Sequence, residues 1–133
     1  MLEPMESSSN GVLAFRAVGK ITDEDYKSAL IPAVEDQIKT QGKARLVYVI
    51  GPEFESYGGK AMLDDALFGV KHWRDFERIA VVTDRDWIAN AMRIFMPLMP
   101  AQTKLFHTNE LKDALAWAVA RKPQGNRNKG IQK

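Results

Sequence analysis

The chain has 133 residues, of which 45% are hydrophobic, and a formal net charge of +2, so its length and composition predict one domain with a substantial core. It contains no cysteine, which excludes disulfides, thiolate metal sites and cysteine nucleophiles and favours a reducing compartment, the cytoplasm. The N-terminal segment MLEPMESSSN lacks the basic and apolar regions of a signal peptide, and no segment is apolar enough to span a membrane.

The positive charge is concentrated at the end of the chain. Residues 121–133 carry five basic residues and no acidic one, which leaves 14 basic and 17 acidic residues, a net charge of −3, in residues 1–120. We therefore expect a domain at 1–120 and a basic, disordered tail at 121–133. The tail either solubilises the protein or contacts an anionic surface. No nucleic acid is expected as a partner, because aromatic residues are not interleaved with these charges.

Hydrophobic periodicity and turn residues predict alternating strands and helices. An Asn10-Gly11 pair separates the first two strand candidates and is typical of a hairpin, so the sheet should begin antiparallel. The segments RLVYVI and RIAVVT are too continuously apolar for strands with one face in water and indicate the centre of a parallel sheet. The predicted elements are strands at 2–6, 12–18, 45–50, 78–83 and 103–107, and helices at 23–42, 59–73, 86–100 and 109–120.

This order predicts an α/β fold with a mixed five-stranded sheet, antiparallel at its start and parallel at its centre, flanked by about four helices. Three positions should shape the helices. Pro32 lacks an amide hydrogen and should kink the first helix or divide it in two. Asp84 is placed to cap the helix at 86–100, and Thr108 or Asn109 to cap the last helix.

The helix at 86–100, DWIANAMRIFMPLMP, carries more apolar residues than one buried face needs. They sweep roughly 200° of a helical wheel, about twice the usual arc. The surplus must contact another part of the domain, a second copy in a homodimer, an apolar ligand or a membrane. The candidate ligand- or membrane-binding residues are Trp87, Ile88, Met92, Phe95, Met96 and Met99, with Met62 and Leu63 facing them from the preceding helix.

Residue patterns for catalysis or metal binding are scarce. His72 and His107 lie on different elements, and neither has a partner at metal-ligand spacing, so no metal and no catalytic residue are assigned. The turn GPEFESYGGK resembles a phosphate-binding loop, but Phe54 and Ala61 stand where the motif requires a glycine and a hydroxyl. Backbone amides at the start of the next helix remain a candidate anion site.

Several separate segments resemble the bacterial SpoIIAA-like proteins. They are GKITDEDYKSALIPAVEDQI, RLVYVI, FGVKHWRDFERIAVVTD, MPLMPA and LFHTNELKDALAWA, in that order. The resemblance covers about residues 1–120. It implies the STAS-type fold, a βα superhelix shared with anti-sigma-factor antagonists and CRAL-TRIO lipid-carrying domains, and it implies no reaction and no cofactor.

The two related classes imply different functions. In anti-sigma-factor antagonists, the loop after the central strand carries an Asp-Ser-Ser-Gly segment whose second serine a partner kinase phosphorylates. The matching segment here is Glu55-Ser56-Tyr57-Gly58, so the serine switch is not carried over. CRAL-TRIO domains use a mobile apolar helix to gate a lipid-sized cavity, and the helix at 86–100 has that character, because methionines adapt to irregular partners and prolines end it.

We therefore expect a non-enzymatic STAS-like module that binds an apolar or lipid-like ligand through the helix at 86–100. Peripheral association with the inner membrane is a further expectation. The alternative is a protein-protein regulator that resembles anti-sigma-factor antagonists and acts through a partner- or anion-binding loop. The residues of that loop are Ser56, Tyr57, Gly58, Gly59 and Lys60.

Overall fold

A computed structural model describes residues 1–5, 11–60 and 74–119. The strands are β1 (Leu2–Pro4), β2 (Leu13–Ala17), β3 (Gly19–Ile21), β4 (Ala44–Ile50), β5 (Phe54–Tyr57), β6 (Phe76–Thr83) and β7 (Gln102–Phe106). The helices are α1 (Asp23–Asp25), α2 (Ile31–Gln41), α3 (Asp86–Phe95) and α4 (Leu111–Val119), with a π-helical turn at Tyr26–Leu30 and 3-10 turns at Met96–Leu98 and Thr108–Glu110.

The main sheet has five strands in the order β1-β2-β4-β6-β7. β1 is antiparallel to β2, and the pairs β2/β4, β4/β6 and β6/β7 are all parallel. The predicted mixed sheet, with an antiparallel start and β4 and β6 inside it, is confirmed. Since parallel neighbours require crossovers, a helical segment lies between consecutive parallel strands wherever the chain is described.

Helices pack on both faces of the sheet. On one face, Leu46, Tyr48 and Ile50 of β4 join a core that includes residues of the first helix and of α3. On the other face, Val47 and Val49 pack with residues of α4. β4 is therefore buried on both faces, which is why its sequence shows no alternation of apolar and polar residues.

A second, two-stranded sheet pairs β3 with β5 in parallel, and this pairing was not predicted. Gly19 turns the chain out of β2 with a φ of +65°, a conformation that glycine adopts without strain. Its amide then donates to the Glu53 carbonyl at 2.7 Å. The segment expected to be a long turn is thus partly a strand, and Phe54 is buried at its start.

The first helix contains a π-helical turn directly before Pro32. The Ile31 amide donates to the Tyr26 carbonyl, five residues back, and Pro32 occupies the first turn of α2. A wider turn removes the steric clash between the proline ring and the carbonyl four residues earlier. The predicted disturbance at Pro32 therefore takes the form of a π turn inside one continuous helical segment.

Some predicted features lie outside the described residues: the hairpin residues 6–10, most of the helix at 59–73 with Met62 and Leu63, and the tail at 121–133. The domain bounds of 1–120 stay a prediction. In the described part of the chain, no helix is long and apolar enough to cross a membrane.

Candidate functional site

Three large apolar side chains on α3 and the turn that follows it are exposed. Trp87 is 56% exposed, Ile94 69% and Leu98 65%. They lie seven and then four residues apart, spacings that place them on one side of the helix and of the 3-10 turn that follows it. We name these three residues the apolar ridge.

The opposite side of α3 packs into the core. Ile88 is only 6% exposed and Met92 is partly buried against the same core, at roughly 100–140° from Trp87 on the helical wheel. Both were predicted to contact a ligand, but the structure turns them towards the sheet. Met96 and Met99 are half-buried; the Phe95 side chain, Met62 and Leu63 lie outside the described part.

Ile94 and Leu98 were missing from the predicted site. The sequence did contain their signal, since both contribute to the 200° apolar arc. The sequence did not predict the rotation of the helix about its axis, because this rotation is set by the contacts that Ile88 and Met92 make in the core. A third side of α3 is polar, where the Arg93 guanidinium donates to the Asn90 side chain at 2.9 Å.

The loop after β4 is tied to the core by a chain of phenols. The Tyr57 hydroxyl donates to the Tyr48 hydroxyl at 3.1 Å, and the hydroxyls of Tyr48 and Tyr26 lie 3.4 Å apart. Burial raises the pKa of Tyr48 far above its usual range, and the neighbouring phenols Tyr57 and Tyr26 raise it further. Tyr48 is therefore a neutral hydrogen-bonding group. Tyr57, which stands where anti-sigma-factor antagonists carry the phosphorylated serine, points inward.

The remaining loop residues face solvent, pair with β3 or pair with the first helix. Ser56 is exposed and pairs in register with Lys20 of β3, and the Gly58 amide donates to the Ile21 carbonyl at 2.8 Å. Lys60, predicted to hold an anion, lies 3.4 Å from an Asp23 carboxylate oxygen. The positive charge of Lys60 is thus already paired with an acid. Gly59 is exposed, and the anion-binding role of Gly59 stays a prediction.

Asp84 was predicted to cap α3, but the structure places it against the start of the last helical segment. Its carboxylate accepts from the Thr108 amide at 3.1 Å, from the Thr108 hydroxyl, and from the His107 Nδ1 atom at 3.2 Å. The hydroxyl and then the amide of Thr108 lower the pKa of Asp84 below its ordinary value, with a further contribution from His107. Arg85 stands instead at the N-cap of α3, where its side chain makes no capping bond.

Metal chemistry finds no support in the described ranges, where no group of three or more histidine, aspartate or glutamate side chains could hold a metal ion. The two principal surfaces are the apolar ridge and the loop after β4.

The sequence matches the SpoIIAA-like family over residues 12–119, so the chain belongs to the SpoIIAA-like family. A solved structure of an uncharacterized DUF3478-family protein from Shewanella loihica PV-4, described as having a SpoIIAA-like fold, is similar to it. The TM-score is 0.70 at 28% sequence identity, and the match covers 89% of this chain and 92% of that chain. A search of the curated proteins gives no match.

Proposed function

We propose that this protein is a non-enzymatic binding module that docks on a lipid surface through the apolar ridge. The observation that carries the proposal is the exposure of three large apolar side chains on one side of a helix whose other side already packs into the core. Single exposed apolar residues are ordinary, whereas aligned ones are typical of interaction sites.

Burial of the ridge gives a favourable free energy of binding. Fully burying one large apolar side chain stabilises by about 1.5–3 kcal/mol, and each ridge residue is more than half exposed. A tryptophan followed by aliphatic residues on one side and an arginine on another is also typical of helices that lie in the membrane interface. Insertion of the ridge alone leaves the core contacts of Ile88 and Met92 in place.

Charge placement favours an anionic lipid surface as the occupant. Gln102, just after the ridge, pairs in register with Arg78, which in turn donates to the Trp117 carbonyl near the end of α4. The last described residue of α4 therefore lies at the edge of the sheet where the ridge also ends, and the basic residues of 121–133 come next in the sequence. Basic residues near acidic lipid gain about 1 kcal/mol each, so the segment and the ridge reinforce one another.

Vesicle co-sedimentation tests this proposal. The full chain should pellet with phosphatidylglycerol-containing vesicles, and a W87S/I94S/L98S variant should lose most of that binding with little loss of thermal stability. The matched control is N90S/Q102S, which changes exposed polar residues in the same region and should bind as the parent does.

Two results would contradict the lipid proposal. One is a parent protein that never pellets; the other is a triple variant that melts far below the parent, since this would place the ridge in the core. A concentration-dependent rise in mass that the triple variant abolishes would instead assign the ridge to a homodimer.

A second candidate is a regulator of the anti-sigma-antagonist type, and it is compatible with the family. The exposed position of Ser56 on β5 favours it, because a partner can reach that residue without unfolding the loop. Direct binding of a purified anti-sigma-class kinase, lost in an S56R variant, would support it. Phosphate should not be incorporated at Tyr57, whose hydroxyl is bonded to Tyr48.

A further inference from the structure

A cleft of about 220 Å³ lies where the carboxyl ends of the parallel strands meet. It is lined by Ile50 and Gly51 after β4, Pro52, Asp84 and Arg85 after β6, and Thr108 after β7. Loops that follow parallel strands converge at this edge, and binding residues are often carried by loops on a rigid scaffold. We propose that this cleft binds a small oxyanion, a carboxylate or a phosphate, through the guanidinium of Arg85.

The Arg85 side chain is held in place by Phe54. Its Nη2 atom donates to the Phe54 carbonyl at 2.5 Å, and its Cζ atom lies 5.0 Å from the centre of the Phe54 ring. Phe54 is itself 2% exposed, so this support is rigid. Little side-chain entropy is lost on binding, because the guanidinium is already oriented.

Arg85 retains hydrogen-bonding capacity for a ligand. Its Nε and Nη1 groups donate to no side chain in the described ranges, and it forms no ion pair there. The nearest acid in sequence, Asp84, is occupied by Thr108 and His107. The remaining N–H groups of this half-buried guanidinium are available to donate to an oxyanion, and hydrogen bonds between charged groups are stronger than neutral ones.

Gly51 keeps the cleft open beside Thr108. A Cβ atom at this position would lie 3.3 Å from Glu53 Oε1 and 3.9 Å from Thr108 Cγ2. Ile50 and Pro52 add apolar walls beside the charged group. A larger side chain at residue 51 would occupy the cleft without displacing Arg85.

The charges around Arg85 restrict the ligand to a small anion. Glu53 pairs with Arg16 at 3.3 Å, Asp84 is bonded as described, and Asp86 begins α3 beside Arg85. Three acids so close repel a polyanion over the Debye length of about 8 Å at physiological salt. One guanidinium therefore selects a compact ligand with one anionic group.

Amide NMR titrations with sodium acetate and with inorganic phosphate, each at ionic strength held constant with sodium chloride, test the proposal. The Gly51, Arg85 and Thr108 amides should shift saturably with at least one probe, and whichever probe binds identifies the carboxylate or phosphate class. R85Q should weaken binding by at least about tenfold. R93Q removes an exposed arginine elsewhere and should bind as the parent does.

G51V provides an independent variant, because it leaves Arg85 intact and fills the cleft; it should also lose the saturable shifts while keeping the parent spectrum elsewhere. No saturable shift with either probe, or equal binding by R85Q and the parent, would overturn the proposal. Vesicle binding by the apolar ridge is measured separately, so either proposal can fail without the other.

Discussion

Arg45 and Arg78 are cross-strand neighbours on β4 and β6, and both donate to the last carbonyls of α4. Arg45 Nη1 lies 2.7 Å from the Ala118 carbonyl and 3.1 Å from that of Val119, and Arg78 Nη1 donates to Trp117. The C-terminal end of a helix carries partial negative charge. Two guanidinium groups from the sheet thus donate to carbonyls in the last described turn of α4.

Replacing Arg78 should be strongly destabilising. R78A removes a charged hydrogen bond and the contact of the Arg78 Cζ atom with the Trp117 ring at 5.1 Å, and should lower the free energy of unfolding by about 2–4 kcal/mol. Urea denaturation measures the change. R78M, which keeps an unbranched side chain and leaves no buried unpaired Nε atom, should recover part of the loss. R93A, at an exposed site, should cost under about 0.5 kcal/mol, and an equal cost for R78A would contradict the capping role.

The phenol chain should show coupling between its members. Y57F removes one donor and should cost about 1 kcal/mol, whereas Y48F leaves both neighbouring hydroxyls without the central partner and should cost about 1–3 kcal/mol. A double-mutant cycle of Y48F and Y57F, followed by urea denaturation, isolates the interaction free energy between the two hydroxyls. Strictly additive losses would mean that the 3.1 Å contact between the Tyr57 and Tyr48 hydroxyls contributes nothing to stability.

Stability should fall in acid through Asp84. Because the pKa of Asp84 is lowered in the folded protein relative to its ordinary value of 3.8, its contribution is present at pH values above that value and is lost as the pH falls through the folded pKa. D84N should be less stable than the parent at pH 7, and the difference should shrink as the pH falls below 3.8. D113N, on the exposed surface of α4, serves as the control. Parallel pH profiles for the parent and D84N would contradict the assignment.

Vesicle binding should divide into a part that depends on salt and a part that does not. The Debye length falls from about 10 Å at 0.1 M to about 3 Å at 1 M salt, which screens the basic segment but not the apolar ridge. Residual co-sedimentation at 1 M salt should therefore disappear in W87S/I94S/L98S. Replacing Arg127 and Lys129 by glutamine should reduce binding at 0.1 M only. Complete loss of parent binding at 1 M would assign the interaction to charge alone.

The main sheet could be predicted from the sequence, because β4 and β6 are apolar on both faces and short apolar runs of this kind are typical of central parallel strands. The β3/β5 pair could not be predicted. Both strands are short, and their pairing depends on a glycine turn that brings Gly19 to Glu53, a contact between residues far apart in the chain.

The surplus apolar surface of α3 could be predicted from the sequence, but the rotation of the helix could not. The composition of α3 indicated a surplus apolar surface, yet tertiary packing decided that Ile88 faces inward and Ile94 outward. Asp84 shows the same limitation. It precedes one helix in sequence, but its partners Thr108 and His107 belong to another, and no local pattern contains that information.

The π turn connects the exposed Pro32 to the buried Tyr26. A π turn holds more residues than an α turn, so it rotates the helix before it relative to the helix after it. Pro32 lies on the surface, and the π turn directly before it begins at Tyr26, which is fully buried and places its hydroxyl 3.4 Å from that of Tyr48. Substitution of this solvent-facing proline is therefore expected to change the contact between the Tyr26 and Tyr48 hydroxyls in the core.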